Sequence, residues 1–121
     1  MHELSIAMSI VELAQEESER RGGARITAVH LKLGALAGVV KEALLSSYEM
    51  AREDTRLQGS QLIIEEIPVV VFCPSCRAER TLHSIQFFRC AECGTPTSEV
   101  VHGKELEVVA LEIEEWAQNP A

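Results

Sequence analysis

The four cysteines constrain this chain more than any other residues. They fall as Cys73-Pro74-Ser75-Cys76 and Cys90-Ala91-Glu92-Cys93, a C-x2-C-x13-C-x2-C spacing with no cysteine left over. A two-residue spacer on a tight turn brings both sulfurs of a pair to one point. Thirteen intervening residues suffice for a hairpin that sets the second pair opposite the first. Four thiolates with no open position make a structural zinc site. The same ligands leave two other readings, a rubredoxin-like iron centre and a redox dithiol, and visible colour would identify the iron. Pro74 and Pro96 lie beside or near the pairs and fit tight turns rather than long regular elements. Residues 69–104 are too few to fold on an apolar core of their own, so metal supplies much of their folding free energy. Four thiolates around one divalent ion leave excess negative charge. Arg77, Arg80 and Arg89 can offset it, although solvated surface arginine is the plainer reading.

The rest of the composition narrows the setting. No basic region followed by an apolar stretch opens the chain, so no signal peptide is read. A cytoplasmic, reducing location is expected, where disulfides are rare. The longest apolar run, residues 67–73, has seven residues including Pro68, far from the roughly 18 of a membrane span. Eleven Lys and Arg stand against 19 Asp and Glu, a net charge of −8. Phosphate-backbone binding needs a basic footprint, so nucleic acid is not expected as a partner, whereas a metal ion or a cationic surface is. The charge is unevenly divided. Residues 69–104 carry four basic and three acidic groups, a net of +1, and the remainder carries −9. A length of 121 residues suits one domain, or one domain with a small subdomain.

Residues 4–18 read as a helix. Ile6, Ile10 and Leu13, with Leu4, Ala7, Val11 and Ala14 beside them, form a wide apolar stripe at the 3.6-residue period. Arg20 and Arg21 suit the negative end of the helix dipole, and Gly22-Gly23 stops it. Residues 26–33 read as a strand with Thr27, Val29, Leu31 and Leu33 on one face and Ile26, Ala28, His30 and Lys32 on the other. A loop at 34–38 leads to a second helix over about 40–56, with Val40, Ala43, Leu44, Ser47 and Ala51 along one side, broken by Gly59-Ser60. Residues 62–72 are β-rich and interrupted at Pro68. After the cysteine region, residues 105–114 alternate as a half-buried strand, Val109, Leu111 and Ile113 against Ala110, Glu112 and Glu114. The order is α-β-α-β, a cysteine-rich insert, then β.

The opening Met1-His2-Glu3-Leu4 is the second feature. Initiator Met normally stays before a residue as large as His2. An α-amine, a deprotonated backbone amide and the His2 imidazole then form adjoining chelate rings, a near-planar nitrogen set that suits Ni(II) or Cu(II) and suits Zn(II) poorly. A frayed, exposed terminus is the plainer reading. Met1-His2-Glu3-Leu4-Ser5 opening an amphipathic helix, two C-x-x-C pairs, and Gly103-Lys104-Glu105-Leu106 entering a last strand together resemble the HypA/HybF family of nickel metallochaperones for hydrogenase maturation. The resemblance covers essentially the whole chain. It implies an α+β fold, in which a three-stranded sheet and two helices make a nickel domain over residues 1–68, completed by 105–121. A zinc-ribbon-like subdomain over 69–104 is inserted. It implies transported Ni(II) at the Met1 amine, the His2 side chain and nearby backbone nitrogens, with Glu3 beside them. It implies structural Zn(II) at Cys73, Cys76, Cys90 and Cys93. It also implies docking to a HypB-like GTPase and delivery to the hydrogenase large subunit.

Other residues carry plainer readings. Glu3 also suits the helix dipole as an acidic first-turn residue. His102, beside Gly103, can approach nickel transiently or be a plain surface histidine. His30 and His83 read as surface residues, Trp116 as a cap on the core, and Glu114 and Glu115 as acidic surface. No nucleophile–base pair, Gly-rich phosphate loop or open metal site with a general base is visible, so an enzyme is not expected. The expectation is a nickel carrier working by ligand exchange. The alternative is a zinc-ribbon adaptor that binds protein or nucleic acid without a second metal.

Overall fold

The structure, a computed structural model, describes residues 2–114. Met1, Glu115 and Trp116, which the sequence singles out, lie outside the described residues. The elements in order are α1 (Glu3–Arg20), β1 (Arg25–Gly34), α2 (Lys41–Ala51), β2 (Gln61–Ile67), β3 (Val70–Cys73), β4 (Ala78–Thr81), β5 (Val100–His102) and β6 (Leu106–Glu114). The fold is α+β. Its two three-stranded sheets run β2–β1–β6 and β4–β3–β5, so β1 and β3 are central. The chain separates into two compact units. The first holds the residues up to Leu31, Val39–Glu65 and those from Val108; the second holds Lys32–Gly38 and Glu66–Glu107.

In the first unit α1 buries Ala7, Ile10, Val11, Ala14 and Ser18, while Leu4 and Leu13 at the flanks of the apolar stripe are exposed. The helix ends as the paired glycines require. Gly22 and Gly23 have φ of 75° and 85°; the Gly23 N–H donates to the Ser18 carbonyl and the Gly22 N–H to that of Glu19. That is the Schellman arrangement, which satisfies carbonyls the helix would otherwise orphan. The apolar cluster joins Ala7, Ile10, Val11 and Ala14 to Ile26, Val29, Leu31, Leu44, Tyr48, Leu57 and Leu62.

Strict alternation does not hold along β1. Thr27 is exposed, whereas Ile26, Ala28, Val29, Leu31 and Leu33 are buried. The inward parity shifts by one residue between Ala28 and Val29, so Ile26 joins Val29 and Leu31 in one cluster and Thr27 does not. A one-residue shift moves every later side chain to the other face. The last strand shifts likewise: Val108, Leu111 and Ile113 pack on the core, and Val109 is exposed. His30 is half-buried rather than on the open surface, with Nε2 2.6 Å from a Glu112 carboxylate oxygen.

The second helix stops at Ala51, not near Arg56. Asp54 adopts a left-handed φ of 59°, and the Thr55 hydroxyl donates to the Arg52 carbonyl at 2.6 Å, replacing a helix ladder bond by a local side-chain bond. The turns that follow carry Leu57 into the core, fully buried. Tyr48, also buried, bonds the Ser60 hydroxyl at 2.6 Å. Val40, placed on the apolar side by the sequence pattern, is exposed.

The second unit centres on β3, antiparallel to both neighbours, with Val70 opposite Thr81 and Cys73 opposite Ala78. Val69, Val71 and Leu82 form its apolar cluster, with Leu36, Phe88 and Val100 against it. The loop after β1 is stitched into this unit: Gly34 N–H donates to Glu105 O, Ala35 N–H to Ile67 O and Leu36 N–H to Gly103 O. At Gly34 the backbones approach so closely that a Cβ would overlap the Gly103 carbonyl, which only glycine avoids.

Candidate functional site

The two cysteine pairs sit on matching turns. The strand β3 delivers Cys73, and the Arg77 N–H closes the first turn onto the Cys73 carbonyl at 2.7 Å; the Gly94 N–H closes the second onto the Cys90 carbonyl at 2.9 Å. Both closing residues are left-handed, Arg77 at φ 55° and Gly94 at φ 76°. Each turn aims a backbone N–H at its first sulfur: Cys76 N–H at Cys73 Sγ and Glu92 N–H at Cys90 Sγ, each at 3.4 Å. The Thr97 hydroxyl anchors the second turn to the first by donating to the Phe72 carbonyl at 2.6 Å, one residue before Cys73.

All four sulfurs lie within 4.8 Å of one another. Cys73 Sγ is 3.6 Å from Cys93 Sγ, and Cys76 Sγ is 3.8 Å from Cys90 Sγ, so the close contacts run between turns. A Zn–S bond of roughly 2.3 Å gives an S4 tetrahedron edges of about 3.8 Å, so this donor set fits zinc by separation as well as by chemistry. Cys73 and Cys90 are buried, Cys76 is half-buried and Cys93 is exposed.

The surroundings divide the sulfurs electrostatically. The sulfurs of Cys76 and then Cys90 hold the Arg80 guanidinium more firmly protonated. At Cys76 that cation draws the thiol down, but the neighbouring sulfurs of Cys93 and Cys90, then burial and Cys73, outweigh it and leave the thiol pushed up to about 11. Backbone N–H groups of Cys93 and Glu92, with Arg80 adding to them, hold Cys90 down at about 6. The Thr95 hydroxyl and N–H hold Cys93 below its ordinary value. Thr95 Oγ1 stands 3.0 Å from Cys93 Sγ and 3.1 Å from Ser75 Oγ, joining the two turns through side chains. Thr95 and Ser75 escape a reading of the sequence, whose only signal is a hydroxyl two residues past Cys93 and one inside the first pair. Arg77 and Arg89 are exposed.

The N-terminal candidates are differently placed. His2 caps α1 with extended backbone, φ −94° and ψ 93°, and its carbonyl accepts from the Ile6 N–H and the Ser5 hydroxyl. Its imidazole is exposed and makes no capping bond. Glu3 is more than a first-turn acid. Its carboxylate accepts the Val40 N–H at 3.1 Å, at the start of α2, and that bond, followed by its own N–H, holds it below the usual carboxylate value. His102, in the second unit, has Nδ1 3.1 Å from Glu105 Oε2, whose other oxygen accepts the Gly103 N–H at 2.8 Å. Among the described residues no helix is long and apolar enough to cross a membrane.

Comparison with known proteins bears on the whole chain. A family model described as hydrogenase/urease nickel incorporation, metallochaperone, hypA, matches residues 1–113. A hydrogenase maturation factor HypA of Chloroflexus aurantiacus is 57% identical over 112 residues, spanning 93% of this chain and 98% of the relative. The hydrogenase maturation factor HypA of a Roseiflexus species is 48% identical over 115 residues, spanning 95% and 94%. Among solved structures, the Ni metallochaperone HypA from Helicobacter pylori superposes with a TM-score of 0.64 at 23% identity, over 93% of this chain and 97% of that one. A second solution structure of a HypA protein gives 0.69, also at 23% identity, over 94% and 97%. At that identity the superpositions speak for the fold.

Proposed function

The chain belongs to the HypA family, the metallochaperones of nickel incorporation, and it is a maturation factor for hydrogenase; on that premise we propose that it holds Ni(II) at its N-terminus and hands it on. In this reading the Met1 amine, the His2 imidazole and intervening backbone nitrogens take the ion, with Glu3 alongside. Residues 1–68 and 105–121 form the nickel-bearing part and 69–104 the zinc-bearing part. The observation that carries the reading is His2 itself: it stands outside the helix on extended backbone, with its imidazole exposed and not spent on the cap. Planar nitrogen donors leave Ni(II) open above and below, where an incoming ligand attacks. Protonation of amine or imidazole then assists release, because the bound nitrogens must be deprotonated.

Zn(II), held by Cys73, Cys76, Cys90 and Cys93, supplies a structural crosslink between the two turns in place of chemistry. The protein is then a carrier rather than an enzyme, works in the cytoplasm, and meets a HypB-like GTPase and the hydrogenase large subunit. Calorimetric titration of Ni(II) into native chain, chain extended by a few residues before Met1, and His2→Ala tests the nickel site. The expected result is one Ni(II) for the native chain and none for the other two, all three retaining zinc. Equal nickel binding by all three would remove the N-terminal site and leave a zinc-ribbon adaptor.

A further inference from the structure

We propose that an open cleft between the start of β1 and the turns after α2 is a binding site for a small, doubly charged oxyanion, a phosphate or a dicarboxylate. The cleft measures about 630 Å³ and is lined by Gly23, Arg25, Thr55, Arg56, Gln58 and Gly59. None of these six is acidic, although the residues outside 69–104 carry a net −9. Two guanidiniums thus line one hollow in an otherwise acidic part of the chain. Their planar forks match the paired oxygens of carboxylate and phosphate. Sites for drug-sized organic ligands are lined mostly by apolar and aromatic side chains. Here there are none, so the ligand is a compact, polar anion. The site uses none of the residues read as metal ligands.

Both walls are fixed by the fold itself. The Gly23 N–H donates to the Ser18 carbonyl at 2.8 Å and the Ser18 hydroxyl to that of Ala24, which sets the wall leading to Arg25. Opposite, buried Leu57 and the bond between the Tyr48 and Ser60 hydroxyls hold the chain on either side of Gln58 and Gly59. Gln58 Oε1 accepts the Asp54 N–H at 3.1 Å, which leaves the Gln58 amide nitrogen as a donor. Arg25 Nη2 comes within 3.4 Å of where a Cβ on Gly59 would stand, so Arg25 reaches from β1 to the far wall. The arginines also keep donors to spare. Arg25 Nε is 3.6 Å from Glu114 Oε1, and Arg56 Nη1 is 3.9 Å from Glu19 Oε2. A formed charge-assisted bond is roughly 2.7–2.9 Å long. Each pair is therefore a loose surface contact, and the two glutamates, which do not line the cleft, compete with a ligand from outside it.

The test is an NMR titration of the full chain with sodium phosphate, sodium succinate and, as the control, sodium chloride, all at one ionic strength so that screening is constant. The amides of Gly23, Arg25, Gln58 and Gly59 and the side-chain Nε–H signals of Arg25 and Arg56 are followed. Phosphate, succinate or both should shift these signals saturably, and chloride should not. Saturation by phosphate alone assigns a phosphate group, by succinate alone a dicarboxylate, and by both the oxyanion class. Arg25→Gln and Arg56→Gln should each weaken binding roughly tenfold, the lower end for a hydrogen bond to a charged group. Arg20→Gln, outside the cleft, should bind as wild type. Glu19→Gln and Glu114→Gln, which remove the competing carboxylates, should tighten binding about 2–5-fold, as an exposed ion pair allows; a misfolded variant could not produce that gain. Signals that move no further with phosphate and succinate than with chloride would overturn the site. So would wild-type affinity in both arginine variants, or no gain in either glutamate variant.

Discussion

Glu3 ties together two backbone segments that the sequence keeps 37 residues apart. Its carboxylate receives the Val40 N–H at the start of a helix that has no side-chain cap of its own. Anionic groups at that end of a helix also meet the positive pole of its dipole. Because this bond lowers the folded-state pKa of Glu3, the stabilisation is present above the ordinary value of 4.5 and is lost as pH falls through the lowered one. An NMR pH titration should therefore move the Val40 amide with a midpoint below 4.5, and Glu3→Gln should abolish that movement. A Val40 amide that stayed still, or that titrated at 4.5, would contradict the bond. The sequence shows Glu3 as an acid in a first turn, and nothing local reveals its partner. The cysteines are the opposite case: spacing alone brings them together, because a short turn leaves two sulfurs no other place to go.

Elements were legible where one pattern ran unbroken. α1 carries its apolar stripe and its glycine stop in the sequence, and the break at Pro68 separates β2 from β3 as proline's missing donor requires. β1 and β6 are half legible. Their residues alternate, but the inward face changes parity midway, and a period-2 reading has no means of seeing a one-residue shift. The end of α2 is hidden from the apolar pattern for a different reason. Residues 52–56 include good helix formers, and the stop comes from the left-handed Asp54 and from the Thr55 hydroxyl bonded to the Arg52 carbonyl three residues back, local devices that apolar periodicity does not register. Those turns exist to seat Leu57, which is completely buried. Leu57→Ala should cost about 2–5 kcal/mol, the range for a fully buried leucine, measured as a shift in the urea midpoint at unchanged slope. A loss below about 0.5 kcal/mol, typical of surface positions, would show that the segment does not hold the core.

At the scale of the molecule, the two units draw on different sources of stability. The first has a cluster of eleven buried residues. The second has three buried aliphatic residues in its cluster, each worth roughly 1.5–3 kcal/mol, against about 10–16 kcal/mol for a structural zinc site. Cys73→Ala should therefore remove zinc and collapse the NMR dispersion of residues 69–104, while signals of the α1–α2 cluster persist. A Cys73→Ala protein with one tightly held zinc and full dispersion would refute the four-sulfur assignment. The sequence shows the second unit as one uninterrupted stretch, because cysteine spacing marks only the ligand turns. The stitching of Gly34, Ala35 and Leu36 onto Glu105, Ile67 and Gly103 adds a short strip from far upstream, and Leu36 lies against Val69, Val71 and Leu82. A gene shuffled between relatives would feel this directly: a cassette cut at residues 66 and 107 leaves behind one wall of its own interior. A chimera that carries residues 32–38 from the same parent keeps that wall intact, and Gly34 with it.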